Sequence, residues 1–349
     1  MWKNKICLFI IIVSFSCDDR NATSGNFSFL VTGNVQGELY PKKMRRGSLG
    51  GVARRSTYIN KVKDDISPII LDAGNLFIDN TNAKTLIKCY NQIGYNAFNV
   101  GIEDLSSVDN INSIIKLANF PFISSNIYEK KSGKLAFKPY TIIEKDEFKI
   151  GIIGLTDNSK QNAEFTFSDP IVAGHNILKK LSKKTKYQAI MFNGSYEKCV
   201  QLKESLQEAD FIFLSGHKEI PRKMRSKKSG AFIYNVGESG QSIVSLKVNI
   251  GHVDSSLNDI SMLLEREKFI DETLDLLHGG ASISLEEMYS GNYNMTQKIK
   301  RIKLELRAAR NELENTVNSI EFDFIPMSDM VNEDEKINSI INEAHNRPN

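Results

Sequence analysis

Cysteine is scarce: four occur in 349 residues, and no Cys-x-x-Cys-His is present, which excludes c-type haem attachment. Cys7 and Cys17 belong to the N-terminal region. The apolar neighbours of the other two, Cys89 and Cys199, favour buried free thiols over a disulfide. Histidine is equally sparse, with five residues. His175 precedes a basic segment, His252 leaves a strand, His278 sits at a Gly-Gly turn and His345 lies in the tail. These four read as surface residues, and no Ser-His-Asp or Cys-His arrangement is visible. Charge of one sign is also lacking. A net charge of +3 is too small to imply a nucleic-acid partner, and none is expected. The composition, 41% hydrophobic and 25% charged, excludes wholesale disorder. The length admits one large domain or two smaller ones.

The N-terminus reads as a targeting segment. Lys3 and Lys5 give a positive start, and Ile6 to Val13 is apolar but too short to span a bilayer. Val13-Ser14-Phe15-Ser16-Cys17 has the order of a bacterial lipoprotein signal, with Cys17 as the lipidated residue and a lipid anchor to the membrane. A plain cleaved signal or an uncleaved anchor is the alternative. Residues 1–17 are thus assigned as signal and 18–25 as a short polar tether. The expected location is the bacterial cell envelope.

The stretch that organises the rest is Phe27 to Ile59. An apolar run, Phe27-Ser-Phe-Leu-Val-Thr32, breaks at Gly33, passes a loop containing Gly37 and Pro41, reaches Gly50-Gly51 and enters a helix near Val52. An α/β enzyme presents polar side chains in this way, at the carboxyl end of its first strand. Asn34 and Gln36 stand at that end. Further strands are predicted at 68–74, 95–100, 120–126, 189–192, 211–214, 231–236 and 242–248, with a hairpin of 137–144 and 148–156. Helices are predicted at 83–93, 111–118, 176–184 and 196–209. This alternation predicts a layered α/β domain over residues 26–250, and the last two strands predict an antiparallel part of the sheet.

A helical extension is expected over 251–349. Residues 257–277 carry a stripe of Ile260, Leu263, Ile270, Leu274 and Leu277. Met295, Ile299, Ile302, Leu306, Ala309 and Leu313 repeat at spacings of four and three, a heptad seam on a helix running to about Val317. An antiparallel helical hairpin and a single amphipathic helix lying on the core both fit. The seam offers a surface for a protein partner. Alternation over 319–327 predicts an added edge strand, and Lys336 to Ala344 a final helix.

Six blocks in this order resemble the exported 5'-nucleotidase and 2',3'-cyclic phosphodiesterase branch of the calcineurin-like metallophosphatases. They are the Gly33–Gly37 loop, Gly50-Gly-Val-Ala-Arg-Arg55, Leu71-Asp-Ala-Gly-Asn75, Ile93–Ala97 leading into Gly101-Ile-Glu-Asp104, Ile150–Leu155, and Ser215-Gly-His-Lys-Glu219. The resemblance covers about two thirds of the chain. It implies a layered α/β/β/α sandwich, with two divalent metals that lower the pKa of a bridging water and clamp phosphate oxygens.

At the positions where the resemblance implies ligands, this chain carries Asn34 and Gln36 for an Asp-x-His, and Asn75 for the bridging Asp. Ile102 and Glu103 replace an Asn-His, and Asn193 replaces a His. His217 remains, with Glu219 as a second donor. An amide in place of a bridging carboxylate removes much of the attraction that holds two dications together. The expectation is a non-catalytic binding or scaffolding component without a cofactor. The alternative is a divergent phosphoesterase with one weakly held divalent metal at His217, Glu219 and Glu103, aided by Asp72 or Asp104. His217 as a relic packing residue is the plainer reading.

A basic concavity is the feature gained. Lys42, Lys43, Arg45 and Arg46, with Arg54 and Arg55, follow the first strand; Lys218, Arg222, Lys223, Arg225, Lys227 and Lys228 follow the Gly-His turn. Together they would attract an anionic ligand. Solvated loops, or a polybasic surface facing anionic lipid, fit the same residues.

Overall fold

The structure, a computed structural model, describes residues 24–108, 111–159, 162–217 and 230–345. The described chain opens with β1 (Gly25–Thr32), a small hairpin of β2 (Pro41–Lys43) and β3 (Ser48–Gly50), α1 (Val52–Ile66), β4 (Ile69–Asp72), α2 (Asn80–Ile93) and β5 (Ala97–Asn99). Then come α3 (Ile102–Ser107), α4 (Ile111–Ile115), β6 (Phe122–Ile123), β7 (Ile127–Glu129), β8 (Tyr140–Lys145), β9 (Phe148–Thr156), β10 (Phe165–Phe167) and α5 (Pro170–Leu181). The second half continues through β11 (Tyr187–Asn193), α6 (Tyr196–Ser205), β12 (Phe211–Ser215), β13 (Phe232–Asn235), β14 (Ser242–Ile250) and β15 (Leu257–Asp259). It closes with α7 (Ser261–His278), α8 (Leu285–Met288), α9 (Tyr293–Glu314), β16 (Asn318–Pro326) and α10 (Glu335–His345).

Two sheets form the centre. One runs β15-β16-β14-β1-β4-β5-β6 and the other β13-β12-β11-β9-β8. Alternation along β1 sets the layering. Phe27, Phe29 and Val31 face the second sheet, where Phe29 meets Phe211 and Phe213 at ring-centroid distances of 5.4 and 5.2 Å. Leu30 points the other way, into the core shared with α1, α2 and α10. The outer face of the second sheet packs on α5 and α6 through Ile153, Leu155, Leu178 and Leu202. The result is a four-layer α/β/β/α sandwich, as the resemblance implied.

Several boundaries differ from expectation for local reasons. The helix expected from residue 176 begins at Pro170, because Asp169 caps it by accepting the Ile171 and Val172 amides. The strand at 231–236 is parallel to β12, so it does not supply the antiparallel part; β14, β16 and β8 do. The helix expected at 257–277 starts only at Ser261, whose hydroxyl and amide are held by Asp259, and Leu257–Asp259 pairs with β16 as a strand. The helix expected to reach Val317 ends at Glu314. Helix α3 has no counterpart in the sequence reading; six residues are too few to display a 3.6 period.

The C-terminal region divides in two. Helices α7 and α9 lie antiparallel, sharing a small core of Ile270, Leu274, Leu285, Ile299 and Leu306, and Arg310 on α9 pairs with Glu267 and Asp271 on α7 at 2.8 and 2.7 Å. The segment after the hairpin returns to the sandwich. β16 pairs with β14 over its whole length and is flanked by β15, so it is an interior strand rather than an edge. Ile337 and Ile341 of α10 are buried in the main core. Among the described residues of 251–345, the hairpin is what stands outside the layers. Among the described residues, no helix is long and apolar enough to cross a membrane.

Candidate functional site

The carboxyl ends of β1, β4, β5, β11, β12 and β13 converge on one edge of the sandwich. The loop after β1 runs beside the loop after β4: the Asn34 amide donates to the Gly74 carbonyl at 2.8 Å, Gln36 to Asn75 at 2.9 Å and Gly37 to Leu76 at 2.8 Å. This pairing forces left-handed backbone at three side-chain-bearing positions, Asn34 (φ 50°), Gln36 (φ 52°) and Asn75 (φ 61°). Asparagine tolerates that region; glutamine there costs about 1 kcal/mol. The bends turn the residues at the expected ligand positions inward.

Those residues hold one another. Asn34 accepts the Gly216 amide (2.7 Å) and the Asn75 side-chain amide (3.2 Å) on Oδ1, and donates through Nδ2 to the carbonyls of Gly237 (2.6 Å) and His217 (3.2 Å). Asn193 donates to Ser215 Oγ at 2.8 Å, and Ser215 donates on to the Ala73 carbonyl at 2.6 Å. A carboxylate at position 34 has no N–H with which to meet those two carbonyls, so the local network requires the amide. Ile102 is buried at the head of α3. The Oδ1 atoms of Asn75 and Asn193 both lie over Gly101, where a Cβ would come within 2.5 and 2.8 Å of them. Asn75 Oδ1 has no hydrogen-bond partner among the described residues, and neither has Asn99 Oδ1 at the end of β5.

The nearby carboxylates are occupied. Asp104 accepts four backbone amides, those of Gly101 (2.8 Å), Asn75 (3.0 Å), Leu76 (2.7 Å) and Phe77 (2.9 Å). Burial pushes it up to about 7 against the pull of these amides. Asp72 accepts from Thr32 (2.8 Å), Tyr90 (2.7 Å) and the Gly74 amide (2.9 Å), and burial shifts it upward too. Neither is available as the added metal ligand that the sequence left open. Sequence reasoning missed the structural part of Asp104; its place at the third position of a helix after Gly101 was the available signal.

His217 lies two residues beyond β12, half-buried, its ring 5.5 Å from that of Tyr196. Glu219 lies outside the described residues, as do Lys218, Arg222, Lys223, Arg225, Lys227, Lys228 and Cys17. Among the described residues, no three His, Cys, Asp or Glu side chains gather as a metal site. Lys42, Lys43, Arg45 and Arg46 are exposed on the β2–β3 hairpin. Arg54 and Arg55 do not join them. Arg54 pairs with Asp329 (3.0 Å) and Glu333 (3.9 Å). Arg55 is fully buried beneath the ring of Tyr90, donating to its hydroxyl at 3.1 Å. The basic surface is therefore smaller than the sequence implied. Cys89 and Cys199 are free, buried thiols, each pushed up to about 12 by burial.

This architecture is shared with known proteins. The 5'-nucleotidase of Vibrio parahaemolyticus is 32% identical over 203 residues, covering 49% of this chain and 36% of that protein. Protein UshA of Salmonella pullorum is 30% identical over 135 residues, covering 34% of this chain and 24% of that protein. The matched part of the chain thus spans between 24% and 36% of the length of these curated relatives. Among solved structures, a 5'-nucleotidase precursor from Thermus thermophilus superposes with a TM-score of 0.63 at 15% identity, covering 92% of this chain and 58% of that one. The calcineurin-like phosphoesterase YfkN of Bacillus subtilis gives 0.61 at 13% identity, covering 92% and 97%. No family profile matches the chain. The fold and the converging strand ends define a metallophosphatase sandwich. The sequence relatives and the structural neighbours together support a divergent member of the calcineurin-like phosphoesterase/5'-nucleotidase family.

Proposed function

We propose that the chain is a non-catalytic metallophosphatase-fold component of the bacterial cell envelope, a binding or scaffolding protein. The observation that carries this reading is the closed amide network: Asn34 engages both polar atoms of its side chain with Gly216, Asn75, Gly237 and the His217 carbonyl. The donor set does not fit a two-metal centre. Dications need carboxylates and imidazoles; this edge offers neutral amides, a buried isoleucine and two carboxyls already held by backbone and hydroxyl donors. The remaining partners belong to the same proposal: a lipid anchor at Cys17, a protein partner on the outward side of the hairpin, where Phe269 and Leu276 are exposed, and an anionic ligand at Lys42–Arg46.

One observation favours a second reading, a phosphoesterase with a reduced metal site: the orphaned Asn75 Oδ1 beside Asn193 Oδ1 could face a cation. Turnover decides between them. The purified protein, given AMP and bis-p-nitrophenyl phosphate with manganese, zinc or calcium, is expected to hydrolyse neither above the buffer rate. Metal-dependent hydrolysis that disappears in His217→Ala establishes the second reading instead.

A further inference from the structure

The β2–β3 ribbon stands at the carboxyl edge of the sandwich, between β1 and α1. From Glu38 to Gly50 the chain carries four cations, Lys42, Lys43, Arg45 and Arg46, against one acid. All four cations are exposed, and among the described residues none of them makes an ion pair or a side-chain hydrogen bond. The carboxylate that meets the ribbon, Asp329, is taken up at its base. It accepts the Ser48 amide at 3.0 Å, the Ser48 hydroxyl, and Arg54 at 3.0 Å. The Gly50 amide donates to the Met327 carbonyl at 2.9 Å and fixes the other side of the base. The ribbon is a firmly rooted projection whose charge is not answered within the described chain.

Two features identify what it would meet. The first is the spread of the charge. Successive strand residues point to opposite faces, so Lys42 and Lys43 lie on opposite sides of the ribbon, while Arg45 and Arg46 occupy its turn. Cations so arranged do not converge on one small anion; they suit an extended negative surface. The second is apolar company. Met44 is exposed at the turn among the cations, and Tyr40 is exposed just before the ribbon. Met330, 94% exposed, follows the Asp329 that holds the ribbon's base. Ile78 is exposed on the neighbouring loop, over Gly37. Cations interleaved with a tyrosine and exposed aliphatic side chains match the boundary between lipid headgroups and acyl chains. A nucleic-acid backbone would leave the apolar groups in water.

We propose that the β2–β3 ribbon docks the protein on a membrane surface rich in anionic phospholipid, with Lys42, Lys43, Arg45 and Arg46 meeting the headgroups and Met44 and Met330 entering the interface. This names the anionic partner of the binding reading above and rests on that reading's placement of the chain in the envelope. Gly25 opens β1 at the opposite, amino edge, about 25 Å away for a strand of 8 residues, so the ribbon is a contact separate from any at the N-terminus. Docking turns the carboxyl edge, with Asn34 and Asn75, toward the lipid. Each cation near an anionic surface strengthens attachment about fivefold, and salt screens that gain away.

The test is vesicle co-sedimentation of the full chain, purified with Cys17→Ser so that no lipid is attached. Vesicles of phosphatidylcholine alone are compared with vesicles containing about one-third phosphatidylglycerol. At about 50 mM NaCl the parent is expected to bind the anionic vesicles at least about tenfold more tightly than the neutral ones, and at about 500 mM to lose that preference. Lys42→Gln, Lys43→Gln, Arg45→Gln and Arg46→Gln together are expected to weaken binding to anionic vesicles about a hundredfold and to leave binding to neutral ones unchanged. Met44→Ser with Met330→Ser is expected to weaken binding to anionic vesicles about fivefold. Circular dichroism confirms that each variant, altered only at exposed positions, is folded. The proposal is overturned by an unchanged affinity in the fourfold variant, or by displacement with about 10 mM inorganic phosphate beyond that of sodium chloride at equal ionic strength. Equally tight binding of a DNA duplex that the fourfold variant abolishes overturns it too. AMP hydrolysis, assayed on the same preparation, decides the non-catalytic reading separately.

Discussion

The two edges of this sandwich treat buried polarity in opposite ways. At the carboxyl edge, where β1, β4 and β12 end, side chains are matched to one another: Asn34 meets four partners and Asp104 meets four amides. At the amino edge, the Tyr187 hydroxyl has no hydrogen-bond partner among the described residues, and Asp210 keeps a carboxyl that burial pushes toward neutrality. An edge whose amides and carboxylates mostly satisfy one another, with the Oδ1 atoms of Asn75 and Asn99 left over among the described residues, resists change. In this family the expected arrangement is the reverse, with unfilled coordination at the carboxyl edge.

The contrast is most severely broken at Asp104. Asp104→Ala leaves four buried amides without an acceptor and is expected to cost about 4 kcal/mol, read by urea denaturation. A change below about 1 kcal/mol would show that these amides find other partners. Asn34→Asp follows. It restores the carboxylate that the family resemblance implies but faces the carbonyls of Gly237 and His217, and is expected to cost about 2 kcal/mol at pH 7.5. Equal stability of Asn34→Asp and the parent would mean that the network tolerates charge.

Asp210 gives a smaller effect and a distinctive sign. Its folded-state pKa of about 7 lies above its ordinary 3.8, so the folded protein holds the proton more tightly. Its contribution is fully present below pH ~4 and is lost as pH rises through ~7. Asp210→Asn is expected to match the parent at about pH 3.5 within about 0.5 kcal/mol, and to exceed it by a growing margin as pH rises to about 7. A parent and variant with parallel stability–pH curves would place Asp210 in water rather than under the hairpin. The smallest effect lies away from both edges, at the α5 cap: Asp169→Ala is expected to cost about 1 kcal/mol at any pH above 5, which calibrates the others.

Much of the carboxyl edge was legible in the sequence, because the blocks that form it are short and local. Gly33–Gly37, Leu71–Asn75 and Ser215–His217 each bring their residues to a strand end, and the structure gathers Asn34, Asn75 and Asn193 there. What could not be read was which polar atoms satisfy which. Asp104 was weighed as a metal ligand, because its four amide partners come from two loops that meet only in three dimensions. Arg54 and Arg55 looked basic and exposed; the acids that hold Arg54 lie some 275 residues on, and Arg55 is covered by α2. The amino edge was not legible at all. Tyr187, Asp210 and Met262 are unremarkable in sequence and acquire meaning only when the hairpin closes over the strand starts.

The heptad seam shows the same limit. Its spacing announces a helix and a partner, and the partner is α7 of the same chain, through Ile299 and Leu306 against Ile270 and Leu274. The return of β16 and α10 to the sandwich depends on long-range pairing with β14 and packing on α2, which local periodicity does not encode.

The central claim is that the carboxyl edge is closed to a two-metal centre. It is tested most directly by elemental analysis and calorimetric titration of the purified protein with manganese and zinc. A metal content far below one equivalent per chain is expected, with no saturable binding that His217→Ala abolishes. About two tightly bound equivalents, accompanied by phosphoester hydrolysis, would contradict it.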